Sequence, residues 1–270
     1  APLEGIAVTV PGDFSSAAFL IVAALLVPGS RVVLPFTGIN PRRTALLEVL
    51  RAMGGRVSIE SIHGDRTEPA GDIAASSSTL HAVDVDDAAV VAAMIDEIPV
   101  LAVAATQAEG RTTIRGAGEL RHKESDRIAS MVENLRAMGA RIEAHDDTLV
   151  IDGPTPLRGA KVSSFGDHRV AMAMAVAALI AAGPTDIADD AVIVADYGGN
   201  VVRLRRGDGG VVWKRALREK IVSTPAVTRE RVVAVRVKGR AAHSRGVGRC
   251  PGGRVAVRRI PGGVQRGGAR

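Results

Sequence analysis

Three short segments hold residues able to handle a polyanion, and each falls where a helix is expected to begin. His168 and Arg169 follow Gly166-Asp167, Lys123 and Arg127 bracket Ser125, and Asp96-Glu97 stand just before Pro99 in an apolar run. A helix N-terminus carries about half a positive charge and unpaired N–H groups, so it favours acids and binds anions. Cations set against that dipole gain a reason to be there when a doubly charged anion sits between them. The alternative is local neutralisation, with Asp167 and Asp126 pairing with these cations at the surface for about 0 to 1 kcal/mol each. Pro99 would occupy the first turn of its helix. A carboxylate in apolar surroundings has a raised pKa unless a cation is near, which is how an acid–base group is tuned. Simple capping by Asp96 is the bland reading of that segment.

Other chemistry finds less support. The six histidines, His63, His81, His122, His145, His168 and His243, show no i, i+4 metal spacing, so no metal site is expected. The single cysteine, Cys250, excludes an internal disulfide framework and thiolate clusters, and fits a reducing cytoplasm. Gly198-Gly199 and the run from Gly207 to Gly210 match neither a phosphate-cradling loop nor a dinucleotide fingerprint. Ser76-Ser77-Ser78 reads as a loop rather than a nucleophile site.

The elements that must position the charged residues come from a chain that repeats itself. Leu50 to Gly54 and Leu135 to Gly139 both read L-R-A-M-G, 85 residues apart. Each closes a helical pattern, Pro41 to Met53 and Ser125 to Met138, at a glycine suited to a left-handed helix end. Each leads into a short β-prone run, Arg56 to Glu60 and Arg141 to Ala144. A second echo is independent. Asp13 to Gly29 aligns with Asp167 to Gly183, and Pro99 to Gly110 is a shorter version. These three alanine-rich helices are apolar nearly all round and are expected to be buried. They lead into strands at Arg31 to Leu34, Arg111 to Arg115 and Thr185 to Ile187. Thr148 to Asp152 pairs with Arg141 to Ala144 as a hairpin. The unit reads β-α-β-α-β-β, present about two and a half times, an α/β (α+β) domain of duplicated supersecondary pieces.

Charge separates this domain from the remainder of the chain. The 270 residues carry a formal +6, but residues 198–270 hold 19 Lys+Arg against 3 Asp+Glu, a net of +16. The remaining 16 basic and 26 acidic residues leave residues 1–197 at −10. A basic nucleic-acid binder is therefore excluded as a reading of the first part. Aromatic residues at 2% argue against stacking platforms for single strands. The most apolar stretch, Ala88 to Ala108, is broken by Asp96, Glu97 and Pro99, so it reads as two buried helices meeting at a polar break rather than as a membrane span. The chain lacks an initiator Met and is read as a processed or partial product. The tail, 198–270, holds 14 of the 30 glycines and 16 arginines but three lysines. That bias is what an out-of-frame reading of a GC-rich gene would produce. The rival is a genuine basic extension that binds RNA. Either way poor order is expected, with some strand character at Val201 to Val212 and Arg231 to Val237.

Five segments together resemble a known family. They are VPGDFSSAAF (Val10 to Phe19), IDEIPVLAVAATQAEG (Ile95 to Gly110), ELRHKESDRI (Glu119 to Ile128), LRAMGARIE (Leu135 to Glu143) and FGDHRVAMA (Phe165 to Ala173). They closely resemble the 5-enolpyruvylshikimate-3-phosphate synthases, or 3-phosphoshikimate 1-carboxyvinyltransferases, from about Leu3 to Ala195. The run R-x-K-E-S-D-R at Arg121 to Arg127 is the most specific piece. The sister UDP-N-acetylglucosamine enolpyruvyl transferases share the fold, usually lack that run, and are the alternative.

The resemblance implies an inside-out α/β barrel, one of the family's two domains. It implies transfer of the enolpyruvyl group of phosphoenolpyruvate to the 5-hydroxyl of shikimate 3-phosphate, with phosphate released through a tetrahedral intermediate. This is a step of the shikimate pathway to chorismate and the aromatic amino acids, in the cytoplasm. Small-molecule substrates are the implied partners, with no membrane and no metal or organic cofactor. The family is usually monomeric, and nucleic acid enters only if the tail is a genuine extension. Residue by residue, Asp96 matches the proton acceptor that contacts the shikimate hydroxyls. Lys123 matches the lysine on phosphoshikimate and Glu124 a proton-transfer glutamate. Arg127 and Arg169 match the arginines gripping phosphoenolpyruvate, with Asp167 and His168 in support. Arginine's planar fork suits that grip. The family's K-S-x-x-x-R and S-[SA]-Q segments belong to its other half and do not occur in residues 1–270. The chain alone is therefore expected to be inactive, and a non-catalytic fragment or a basic-tailed RNA-binding protein is the alternative of a different class.

Overall fold

The computed structural model describes residues 9–63 and 68–188 in full and, beyond them, the backbone of short strands between 192 and 256. Contacts divide the chain into two compact units, Ala1–Asp189 and Asp190–Arg270. The expected boundary at Tyr197 lies outside the described residues, as do the side chains of the tail, Cys250 included. In the second unit, Asn200–Leu204 pairs antiparallel with both Val192–Ala195 and Val211–Ala216, and two shorter strands are Arg231–Val233 and Arg236–Val237.

Duplication is visible throughout the first unit. Its first copy runs α1 (Phe14–Leu26), β1 (Arg31–Gly38), α2 (Ala45–Ala52), β2 (Arg56–His63) and β3 (Ala70–Ser76). The second begins with β4 (Asp84–Val85) and α3 (Ala88–Ala93), which passes through a 3-10 turn at Ile95–Glu97 into α4 (Ile98–Ala105). It continues with β5 (Gly110–Ile114), a 3-10 turn at Gly118–His122, α5 (Arg127–Ala137), β6 (Arg141–His145) and β7 (Thr148–Gly153). The third has β8 (Lys161–Ser163), α6 (His168–Ile180) and β9 (Asp186–Ala188). Both sheets share one topology: β3 lies between β1 and β2, and β7 between β5 and β6, all antiparallel. β4 joins β5 in parallel, β8 joins β9 in parallel, and a parallel bridge from Gly12 to Thr37 holds the same place in the first copy. The β-α-β-α-β-β repeat read from the sequence is the repeat observed, with β-α-β of the third copy among the described residues.

The L-R-A-M-G signature works identically in both copies. Met53 and Met138 end their helices, and Gly54 and Gly139 follow in the left-handed region at φ of +87° and +93°. The Gly55 N–H donates to Leu50 O and the Gly54 N–H to Arg51 O, each at 2.8 Å. In the second copy the Ala140 N–H donates to Leu135 O at 2.8 Å and the Gly139 N–H to Arg136 O at 2.9 Å. This paired capping satisfies carbonyls that a helix end leaves open. The arginine of each motif reaches on to the next strand, Arg51 Nε to Val57 O at 2.9 Å and Arg136 Nε to Ile142 O at 2.8 Å. The Leu and Met of both copies are buried. Five residues thus end the helix, fix the turn and tie down the strand beyond it.

The apolar helices α1, α4 and α6 pack on one another, their alanines allowing close approach. Burial differs from the expectation that all three are enclosed. Every residue of α4 is buried. By contrast α1 and α6 leave apolar stripes open, with Leu20 at 53% and Leu179 at 62% exposure. The reason is packing: α1, α5, α6 and β7 cover α4 along its whole length, whereas the faces of α1 and α6 that carry Leu20 and Leu179 stay open among the described residues. A second correction concerns α2, expected from Pro41 but starting at Ala45. Asn40 closes a turn instead, its side chain accepting from the Arg42 N–H at 3.0 Å and its carbonyl from the Arg43 N–H at 2.9 Å. Asparagine commonly competes with helix in this way.

Candidate active site

Each site residue is placed by the start of a helix or by a turn leading into one. Asp126 caps α5 by accepting from the Ala129 N–H at 2.9 Å, and Asp167 caps α6 by accepting from the Arg169 N–H at 2.8 Å. These caps set Arg127 at the first and Arg169 at the second position of their helices. Asp96 lies in the 3-10 turn before α4, and Lys123 directly follows the 3-10 turn at Gly118–His122. α4 receives no side-chain cap bond, so the reading of Asp96 as a capping residue is not what the structure has.

Asp96 is instead the point on which three cations converge. Its Oδ1 accepts from Arg127 Nη1 at 3.1 Å and lies 4.0 Å from Lys123 Nζ, while Oδ2 faces Arg169 Nη2 at 3.3 Å. The Asp96 carbonyl also accepts from Arg169 Nη1 at 3.3 Å. Arg127, at 1% exposure, holds Asp167 with Nε at 2.7 Å and Nη2 at 3.4 Å, and it also pairs with Glu124. Lys123 pairs with Glu119 as well. The Ser125 hydroxyl donates to Asp167 at 3.2 Å. Local surface pairing of Asp167 with its helix's own cations does not occur. Asp167 is fully buried, and its ionic partner lies 40 residues away in sequence.

Two buried carboxylates are tuned in opposite directions. Burial alone would raise the Asp167 carboxyl, but the Arg127 hydrogen bond, the Arg169 backbone N–H and the Arg127 charge together hold it below its ordinary 3.8. Glu97, at 4% exposure, is pushed up from 4.5 by burial, against hydrogen bonding from Ser15 and the charges of Arg169 and Arg43. The raised-pKa carboxylate expected in this apolar stretch is therefore Glu97.

Of the residues singled out from the sequence, Asp96, Lys123, Glu124, Arg127, Asp167 and Arg169 come together in one network. His168 is exposed at the first position of α6 and takes no part in that network among the described residues. Sequence reasoning missed Ser15 and Arg43, took Ser125 only as a helix start, and read Glu97 with Asp96 as a carboxylate pair without giving it a partner. Glu97 stood beside Asp96 in the same run. No pattern, however, links it to Ser15, 82 residues earlier, whose hydroxyl donates to it at 2.5 Å. The network is partly open to solvent: the side chains of Asp96, Lys123 and Glu124 are 33%, 24% and 53% exposed. Two depressions are lined by other residues: about 540 Å3 beside Arg111, Arg141 and Asp152, and about 620 Å3 beside Leu26, Gln107 and Leu179 at the far ends of the bundle helices. Among the described residues no helix is long and apolar enough to cross a membrane, and no His/Cys/Asp/Glu group is arranged to hold a metal ion.

Fold and site define a class: a repeat-built α/β domain whose helix starts gather lysine and arginine around one carboxylate. Comparison narrows that class. Residues 1–199 match the family model described as EPSP synthase (3-phosphoshikimate 1-carboxyvinyltransferase). The 3-phosphoshikimate 1-carboxyvinyltransferase of Brevibacillus brevis is 47% identical over 197 residues, 73% of this chain and 46% of that protein. That of Salinibacter ruber is 52% identical over 182 residues, 67% of this chain and 42% of that protein. The crystal structure of EPSP synthase from Acinetobacter baumannii superposes with a TM-score of 0.64 at 40% identity, covering 66% of this chain and 42% of that one. The enolpyruvyl transferase NikO from Streptomyces tendae, with a TM-score of 0.54 at 24% identity over 67% of this chain and 39% of that one, shares the fold. The chain belongs to the EPSP synthase family, and it spans less than half the length of the curated relatives it matches.

Proposed function

We propose that residues 1–197 form one domain of a 3-phosphoshikimate 1-carboxyvinyltransferase and contribute half of its active site, the basic tail 198–270 standing outside this activity. The observation that carries the reading is the convergence of Lys123, Arg127 and Arg169 on Asp96, all at the entrances of helices. Phosphoenolpyruvate and shikimate 3-phosphate are both polyanions, and charge-assisted bonds from arginine forks suit carboxylate and phosphate. In this scheme Asp96 takes the proton of the attacking 5-hydroxyl as its oxygen bonds to the central carbon of phosphoenolpyruvate. Glu124 supplies a proton to the methylene carbon and takes one back from the resulting methyl as the carbon–oxygen bond to phosphate breaks, and the proton held on Asp96 passes to the departing phosphate. Arg127 and Arg169 hold the phosphoenolpyruvate anion, and Lys123 the phosphoshikimate. The reaction is proposed to proceed in the cytoplasm, in a monomer, without metal or organic cofactor. The partial exposure of Asp96, Lys123 and Glu124 fits a site completed by a second domain.

Phosphate release from phosphoenolpyruvate, dependent on shikimate 3-phosphate, tests the proposal. The assay compares the chain alone with the chain mixed with the part of a full-length relative that it does not match. Negligible turnover is expected alone and measurable turnover in the mixture. Asp96→Asn and Arg169→Ala should each lower that turnover by about 100-fold or more, the usual scale for losing proton transfer or a charge clamp. Robust turnover by the chain alone would overturn the requirement for a second domain. Failure of phosphoenolpyruvate to bind either preparation would overturn the reading itself.

A further inference from the structure

The three bundle helices begin at acids that behave differently. Asp13 and Asp167 cap their own helices through backbone N–H groups, but Glu97, at the corresponding place before α4, makes no cap bond. Pro99 in that first turn has no N–H to offer. The Glu97 carboxylate is thus free to point elsewhere, and it is buried among groups from the other two helices. Ser15 of α1 donates to Oε1 at 2.5 Å, and Arg43 Nη2 donates to the Ser15 oxygen at 3.0 Å while lying 3.6 Å from Asp13. On the other side Arg169 Nη1, from α6, is 3.8 Å from the same Oε1.

Arg169 is therefore held at two edges. Nη2 faces the half-buried Asp96 carboxylate at 3.3 Å, a contact that an incoming anion can replace. Nη1 faces the Asp96 carbonyl and the buried Glu97 carboxylate. A buried carboxylate is costly to maintain unless paired and hydrogen-bonded. Here Ser15, Arg43 and Arg169 offset part of that cost, and burial still holds the carboxyl above its ordinary range.

We propose that Glu97 is a positioning residue: anchored by Ser15 and Arg43 of the first repeat copy, it fixes the Arg169 guanidinium beside Asp96. The first copy, which places no side chain on Asp96 itself, thereby sets the geometry of the anion grip. The ligand arm of the test rests on the proposed enolpyruvyl function; the spectroscopic arm does not.

Side-chain NMR of the whole chain reads the positioning directly, with the Arg169 signals assigned through Arg169→Lys. Slow rotation of the Arg169 guanidinium is expected in the unsubstituted chain and fast rotation in Glu97→Gln. Glutamine keeps the shape and the Ser15 contact but loses the charge, so a purely packing role would leave the signal unmoved. Titration with phosphoenolpyruvate should show affinity about tenfold weaker in Glu97→Gln, the equivalent of one lost charge-assisted bond. Ser15→Ala, which adds no buried charge, should give the same changes at smaller size and serves where Glu97→Gln does not fold. Unchanged Arg169 rotation in a folded Glu97→Gln or Ser15→Ala chain overturns the inference. If no variant and no unsubstituted chain binds phosphoenolpyruvate, the functional reading fails while the rotation result still decides the positioning role.

Discussion

At the start of α5, Arg127 is 1% exposed and holds Asp96, Glu124 and Asp167, whereas the residue at the same place in the first copy, Arg42, lies exposed in a turn. The scaffolds around them match in sheet order, helix ends and the L-R-A-M-G motif. The difference arises from the preceding residue. Asp126 accepts an N–H of the first turn, so α5 begins at residue 127 and carries the arginine inward on its first turn. Pro41 stands in its place in the first copy, Asn40 closes a turn, and α2 starts later at Ala45 without a side-chain cap. One capping residue thus decides whether an arginine faces water or the bundle. Duplication supplied the frame twice, and the charge cluster was built from the second copy together with Asp167 and Arg169 at the start of α6 in the third, the first copy lending support through Ser15 and Arg43.

The largest effect that could break this comparison is removal of Arg127. Arg127→Ala leaves Asp167 buried without its ionic partner and should cost about 3–5 kcal/mol in denaturant unfolding. The matching Arg42→Ala should fall within about 0.5 kcal/mol, as exposed substitutions do. Equal costs would mean that the two positions are energetically alike despite their geometry.

Acid and base limbs of the stability curve separate the two buried carboxylates. Asp167 has a folded pKa below 3.8, so its pairing stabilises above that value and is lost as pH falls through the folded pKa. Glu97 has a folded pKa above 4.5, so the folded state binds its proton more tightly and stability declines as pH rises beyond 4.5. Unfolding midpoints measured against pH should lose the acid limb in Asp167→Asn and the upper decline in Glu97→Gln. A Glu97→Gln profile parallel to that of the unsubstituted chain would contradict the second assignment.

The two capping glycines sharpen the comparison at smaller scale. Both occupy positive φ, so Gly54→Ala and Gly139→Ala should each cost about 1–2 kcal/mol. Gly54 should cost more, because a Cβ there would lie 3.3 Å from both Thr79 O and His81 Cδ2, against 3.9 Å to the nearest atom at Gly139. The smallest effect expected is at the helix starts. Asp126→Ala should lose about 1 kcal/mol of capping. Thr44→Ala should lose little, since Thr44 makes no side-chain cap bond.

Much of the fold and of the site was legible in the sequence. The repeat, the approximate places of the six α-helices of the first unit, the glycine stops at Gly54 and Gly139 and the hairpin between β6 and β7 arise from signals spanning a few residues. Six of the site residues were recognisable because cations at helix starts contradict the dipole and because R-x-K-E-S-D-R is specific. The late start of α2 was less visible, since Asn40 and Pro41 compete with a helical pattern that is otherwise continuous. The open stripes on α1 and α6 were hidden because their composition matches that of α4, and only neighbours decide which face meets water.

The sequence by itself determined the duplicated frame, the split between an acidic domain and a basic tail, and which residues could meet an anion. Those properties are local, fixed by turn chemistry, periodicity and charge within a helical turn or hairpin. Tertiary structure alone decided that Arg127 is buried on Asp167, that three cations share Asp96, and that Glu97 turns from capping its helix to Ser15 and Arg169. Such partners lie 27 to 82 residues apart, and only the gathering of the starts of α1, α4, α5 and α6 brings them together.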